Sequence, residues 1–106
     1  MNKSKTYDKY FLSYSGASLP LKLVSQVEPG EVENRNTYFG ADFDNNGRIT
    51  VIQKSVYGEI ELSHYYHYHA NGNIKSADIH NIENEGVRLH FDETGNVTFK
   101  EELDIQ

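Results

Sequence analysis

The chain has 106 residues, 37% of them hydrophobic and 12% aromatic (eight Tyr, five Phe, no Trp), and its 16 acidic and 10 basic side chains give a net charge of −6. That length holds one compact domain, and an aromatic content of this order belongs to a chain that folds. The acidic field repels phosphate backbones and so argues against nucleic acid as a partner, while the lack of cysteine excludes disulfides, thiolate metal sites and cysteine nucleophiles.

The opening stretch, Met1 to Lys9, leads into only a short apolar patch, and no run approaches the ~20 apolar residues of a membrane span. The expectation is a soluble, cytoplasmic protein with no membrane partner. Tyr10-Phe11-Leu12-Ser13-Tyr14 and Leu19-Pro20-Leu21-Lys22-Leu23-Val24 read as two strands joined at Ser15-Gly16, with Pro20 favouring an edge because it cannot donate to a ladder. These N-terminal strands, in a segment spanning 1–27, are expected to cover the apolar face of the sheet that follows. Residues 28–36, Glu28-Pro29-Gly30-Glu31-Val32-Glu33-Asn34-Arg35-Asn36, are polar and turn-rich and read as a surface loop or crossing connection.

From 37 to 103 one grammar recurs: an aromatic, Asp or His, two turn-forming residues, Gly, one residue, and Ile or Val. Its copies are Phe43-Asp44-Asn45-Asn46-Gly47-Arg48-Ile49, Tyr68-His69-Ala70-Asn71-Gly72-Asn73-Ile74 and Phe91-Asp92-Glu93-Thr94-Gly95-Asn96-Val97. The spacing of the glycines matches one strand-turn-strand unit plus a connection. Strands are predicted near 36–43, 48–56, 59–69, 73–80, 86–92 and 96–103, with no helical period anywhere. The predicted fold is a single all-β domain, an antiparallel meander of three repeated β-hairpins plus the two N-terminal strands, in a strongly curved sheet or partial barrel. Aligning the copies puts Phe39, His64 and Val87, then Ala41, Tyr66 and Leu89, then Phe43, Tyr68 and Phe91 on an apolar face. Asp42, His67 and His90, with Asp44, His69 and Asp92, fall on the opposite one. Asn96-Val97-Thr98 matches a glycosylation acceptor but reads more simply as the far side of a turn.

The repeated motif resembles the tyrosine-aspartate repeats of bacterial Rhs-type proteins over about residues 38 to 103, within a chain that looks like a small bacterial domain. The resemblance implies hairpin geometry. Three copies are too few for the large shell that such repeats build, and the middle copy has His69 where the pattern has Asp, so the encapsulating function does not carry over.

Two local patterns could carry chemistry. Asp42-Phe43-Asp44-Asn45-Asn46-Gly47-Arg48-Ile49 reproduces the start of an EF-hand calcium loop, but position twelve is Gln53, which cannot supply the bidentate carboxylate; the alternative is that Asp44 bonds the turn backbone. The second pattern is Glu59 to His69. Period two aligns Glu59, Glu61, Ser63, Tyr65, His67 and His69 on one face, so His67 and His69 form a His-x-His start for a zinc, iron or copper site. Asp78, across the Asn71-Gly72 turn from Tyr65, is the best carboxylate to complete it. The bland alternative is a solvated polar face. His64, at a core-equivalent position, reads as a hydrogen-bonded buried histidine or one lining a cavity.

The function expected from these residues is a non-catalytic module that binds a small molecule or protein through a Tyr/His-rich concave face, with Tyr65, Tyr68, His69, Glu61 and Asp78 as contacts. The alternative is a small enzyme using His64 or His67 as base and Tyr66 as acid, or a metal at His67 and His69. A third reading, an acidic inhibitor or immunity-type partner, rests on charge and size, and the free edges of the sheet suggest a homodimer.

Overall fold

The computed structural model describes residues 6–104, so the first five residues of the predicted N-terminal segment lie outside the described residues. The strands are β1 (Lys9–Ser15), β2 (Lys22–Val27), β3 (Thr37–Phe43), β4 (Ile49–Val56), β5 (Glu59–Tyr68), β6 (Ile74–Asn81), β7 (Glu85–Phe91) and β8 (Val97–Asp104). They form one antiparallel sheet in the order β2-β1-β3-β4-β5-β6-β7-β8. The sheet is not closed: β2 and β8 are its two edges. A short 3-10 turn, Pro29–Asn34, carries the chain from β2 past β1 to β3, which makes the polar 28–36 segment a crossing connection. Among the described residues no helix is long and apolar enough to cross a membrane.

The hairpins form where their turn residues demand it. In each of the three turns the residue after the aromatic donates across the turn and accepts from the turn glycine: Asp44 N–H to Arg48 O (2.9 Å), His69 N–H to Asn73 O (2.8 Å) and Asp92 N–H to Asn96 O (2.9 Å), with Gly47, Gly72 and Gly95 N–H returning at 3.0–3.1 Å. Those glycines sit at φ +80°, +93° and +99°, a region costly for any residue with a Cβ. Asp44 and Asp92 add side-chain acceptors: each Oδ1 receives two backbone amides, Asn46 (2.8 Å) and Arg48 (3.0 Å) in the first turn, Thr94 and Asn96 (3.0 Å each) in the third. In the second turn Asn71 Oδ1 takes the Asn73 amide at 2.9 Å instead.

Three residues beyond each of these glycines the outgoing strand carries an unpaired residue. The register passes from Asp42↔Val51 to Phe43↔Ile49, from His67↔Ser76 to Tyr68↔Ile74, and from His90↔Phe99 to Phe91↔Val97, leaving Thr50, Lys75 and Thr98 as bulges. The Thr50 and Thr98 hydroxyls donate to Asp42 O and His90 O, each at 3.3 Å. A further bulge, between Lys54↔Leu62 and Ser55↔Ile60, leaves Glu61 without a partner. Period two therefore breaks at Glu61, and the single face drawn from Glu59 to His69 is corrected accordingly: Ile60, not Glu59, lies opposite the buried Ser55.

The N-terminal strands do not lie over the apolar face as expected. Both extend the sheet in its own plane, β1 pairing β2 on one side and β3 on the other. Their connection supplies the cover instead. Its Leu19 and Leu21, with Phe11 of β1 and Leu23 of β2, pack against a core of Phe39, Ile52, Tyr66, Ile74 and Ala77, flanked by Ile49, Tyr68 and Phe91. Each large side chain buried here contributes roughly 1.5–3 kcal/mol. On the other face Tyr7 covers the backbone of Gly40, and its ring meets Tyr10 edge-on at 5.8 Å.

Candidate functional site

From Leu62 to Tyr68 the two faces of β5 divide as the alternation predicted, which sets His67 apart from its proposed catalytic partners His64 and Tyr66. His64, Tyr66 and Tyr68 belong to the core face; Ser63, Tyr65 and His67 belong to the polar one, opposite Gln53, Asp78 and Ser76.

On the core face His64 and Tyr66 come together. The Tyr66 oxygen lies 2.6 Å from His64 Nδ1 and accepts the Leu21 amide at 3.1 Å. The phenol can give its proton to Nδ1 while it accepts the Leu21 amide, an arrangement in which the neutral His64 carries its proton on Nε2. Burial pushes His64 down from 6.5 to about 4 and raises the Tyr66 phenol well above its usual 10. At neutral pH the pair is an uncharged imidazole and an un-ionised phenol, joined to the backbone of the β1–β2 connection. It fastens that segment over the sheet.

On the polar face two separate sets of hydrogen bonds run across the sheet, one on β4 and β5 and the other linking β6, β7 and β8. The Tyr7 hydroxyl donates to Gln53 Oε1, and Gln53 Nε2 donates to Ser63 Oγ (3.0 Å) and the Tyr65 hydroxyl (3.4 Å). Tyr65 then packs against the His80 ring with centroids 5.3 Å apart. Asp78 is held by both Arg88 Nε (2.7 Å) and Nη2 (2.9 Å), and Arg88 Nη1 reaches Glu101 at 3.4 Å, as does His90 Nε2. The Arg88 fork holds the Asp78 carboxyl below the ordinary carboxylate range. Arg88→Met is expected to return the Asp78 titration upward towards its ordinary position; carboxyl carbon NMR against pH measures it, and an unmoved Asp78 would show that the fork is not what depresses it.

The proposed metal pair is not brought together with a third ligand. His67 is exposed on β5, whereas His69 lies beyond the strand in the turn, its Nε2 donating to Phe91 O at 2.9 Å. Asp78 faces Arg88, and Glu61 is paired with Lys54 at 3.2 Å. Among the described residues no group of three or more His, Cys, Asp or Glu side chains is placed to hold a metal ion. The carboxylates of the calcium-like segment are committed to the backbone as well: Asp42 Oδ1 accepts the Asp8 amide at 3.0 Å, and the amides of Arg48 and Asn46 hold Asp44 below its usual pKa.

One cleft remains that sequence spacing did not reveal. It has a volume of about 670 Å³ and lies between the β1–β2 connection and the ends of the three hairpins. Ile49, Tyr68, Ile74 and Phe91 form its floor, and Leu19 and Pro20 one wall. Tyr68 is the predicted ligand-binding residue that lines it. Its hydroxyl donates to Ile49 O at 2.5 Å, and the Arg48 guanidinium lies over its ring, 5.1 Å from the centroid. A second hollow, of about 530 Å³, lies under the 3-10 turn against Tyr10 and Tyr38, and none of the predicted site residues lines it.

A model of a family of unknown function, DUF6156, matches residues 3–100, and the chain belongs to that family. No curated protein and no solved structure matches it.

Proposed function

We propose that this member of the family is a non-catalytic binding module that takes a small, largely apolar ligand in the cleft between the β1–β2 connection and the hairpin ends. The observation that carries the reading is the floor of that cleft. Ile49, Tyr68, Ile74 and Phe91 come from four different strand ends and form one apolar surface that the sheet does not cover. Concave sites with apolar floors and a few polar groups at the rim are where proteins take small ligands. The acid-base alternative has weaker support. His64 and Tyr66 satisfy each other within the core, and His67 stands apart from them on the opposite face. In the same reading the chain is built from three copies of one hairpin unit, whose turns are reused as the cleft wall.

The test is a screen of neutral apolar fragments by amide NMR on the wild-type chain and on Ser18→Trp. Ser18 is exposed at the cleft mouth, and an indole there fills the space while leaving the core intact. Binding is expected to shift the amides of Ile49, Ile74 and Phe91, and Ser18→Trp is expected to abolish it. Fragments that bind Ser18→Trp as well as wild type, or that shift only Tyr65, His67 and His80, would move the site to the other face and sink the proposal.

A further inference from the structure

We infer that the ligand of this cleft carries a carboxylate on an apolar body and that Arg48 is the residue that selects it, an inference that rests on the cleft being the binding site. Three observations lead there. Among the described residues Arg48 is the only charged one lining the cleft, in a chain whose overall charge is −6. Its guanidinium is held in place from two sides, by Asp44 Oδ2 on Nε at 3.3 Å and by the Tyr68 ring beneath it at 5.1 Å. Its side chain is 31% exposed, and that single Nε contact is its one ion pair among the described residues, which leaves the two terminal nitrogens as uncommitted donors.

A guanidinium presents its terminal N–H groups as a planar fork that matches a carboxylate, and stacking on an aromatic ring restricts the rotamers that would otherwise be lost on binding. The Nη1 atom is close to the inner side of the second hairpin turn: a Cβ added at Gly72 would lie 3.9 Å from it. The guanidinium therefore stands beside the apolar floor of Ile49, Ile74 and Phe91, with Ser18, Asn73 and Thr94 as the other polar side chains of the lining. An inorganic anion would leave Ile49, Ile74 and Phe91 uncovered, and a neutral hydrocarbon would leave the fork unused. A small aliphatic or aryl carboxylate satisfies both.

The test uses a matched pair of probes, 3-phenylpropionate and 3-phenylpropionamide, titrated into the 15N-labelled chain. The carboxylate is expected to bind at least about tenfold more tightly than the amide, with a preference that shrinks as salt is added, since the charge-assisted bonds are made at a partly exposed site. Arg48→Gln is expected to remove the preference while leaving the amide probe bound; Arg48→Lys retains part of it. Equal affinity of the two probes for wild type would overturn the inference and leave the cleft standing as an apolar site. Binding of neither probe, with neutral fragments still bound, would overturn it too, whereas loss of the neutral fragments as well would remove the cleft reading beneath it.

Discussion

Gly40→Ala is expected to destabilise the chain by about 2–3 kcal/mol, lowering the melting temperature by roughly 10–20 °C. The reason is local. Gly40 sits in the middle of β3 with ordinary strand dihedrals, so alanine costs nothing there in backbone conformation and even gains about 0.5–1 kcal/mol of chain entropy. The space is what is missing: a Cβ would lie 2.1 Å from Cδ2 of Tyr7, far inside van der Waals contact with its ring. Tyr7 is only 6% exposed and its hydroxyl is bonded to Gln53, so it cannot step aside without losing its packing on Tyr10 and the start of the polar line to Ser63 and Tyr65. Displacing a buried aromatic ring costs on the order of 3–5 kcal/mol, which exceeds the entropy gained. Urea denaturation of Gly40→Ala, Tyr7→Ala and the double variant checks the mechanism. Once the ring is gone the alanine has nothing to strike, so the double variant should be little worse than Tyr7→Ala alone. Strictly additive losses would mean that the two residues do not meet in solution.

The second large effect is a loss of stability in mild acid traced to His64. Its imidazole is held neutral by burial and ionises at about 4 in the folded chain against 6.5 in the unfolded one. The unfolded state therefore binds the proton first. The stabilisation that follows is complete above pH 6.5 and fades as the pH falls towards 4, by about 3 kcal/mol over that window. His64→Gln keeps an acceptor for the Tyr66 hydroxyl and removes the ionisation. Urea midpoints between pH 7 and 4 should fall steeply for wild type and remain nearly level for the variant. The other histidines are common to both proteins and cancel. The carboxylates held low, Asp44, Asp78 and Asp92, begin to release their stabilisation as the pH nears their usual value of 3.8, at the acid end of the window, and are common to both proteins. Parallel curves for the two proteins would remove His64 from the account.

The strands and turns were readable in the sequence because their causes are local. Asp44-Asn45-Asn46-Gly47 and its counterparts fix a positive φ and a side-chain acceptor within four residues, and β7 pairs with β6 without a bulge, so Val87 and Leu89 stand opposite Ile79 and Ala77 while Arg88 stands opposite Asp78. His64 was readable as a core histidine for the same reason. What pairing decides was not readable. The bulges at Thr50, Glu61, Lys75 and Thr98 exist only once two strands are in register, and Glu61 alone is enough to put Glu59 on the wrong face of a drawn strand. The cleft was hidden for a further reason: Leu19 and Pro20 meet Ile74 and Phe91 across more than half the chain, and nothing in either segment's pattern names the other.

The placement of β1 between β2 and β3 bears on the order in which the chain can assemble. Six of the seven strand ladders join neighbours in sequence, and each hairpin can close on its own turn; only β1 with β3 must wait for a segment that includes the whole of β2 and the 3-10 turn. Loop closure is thus spent almost entirely on short separations, an arrangement that favours fast folding for an all-β chain. Among the described residues the seam between β1 and β3 is the ladder that closes over the longest separation, and the β1–β2 connection that walls the cleft is anchored to the rest of the sheet through it.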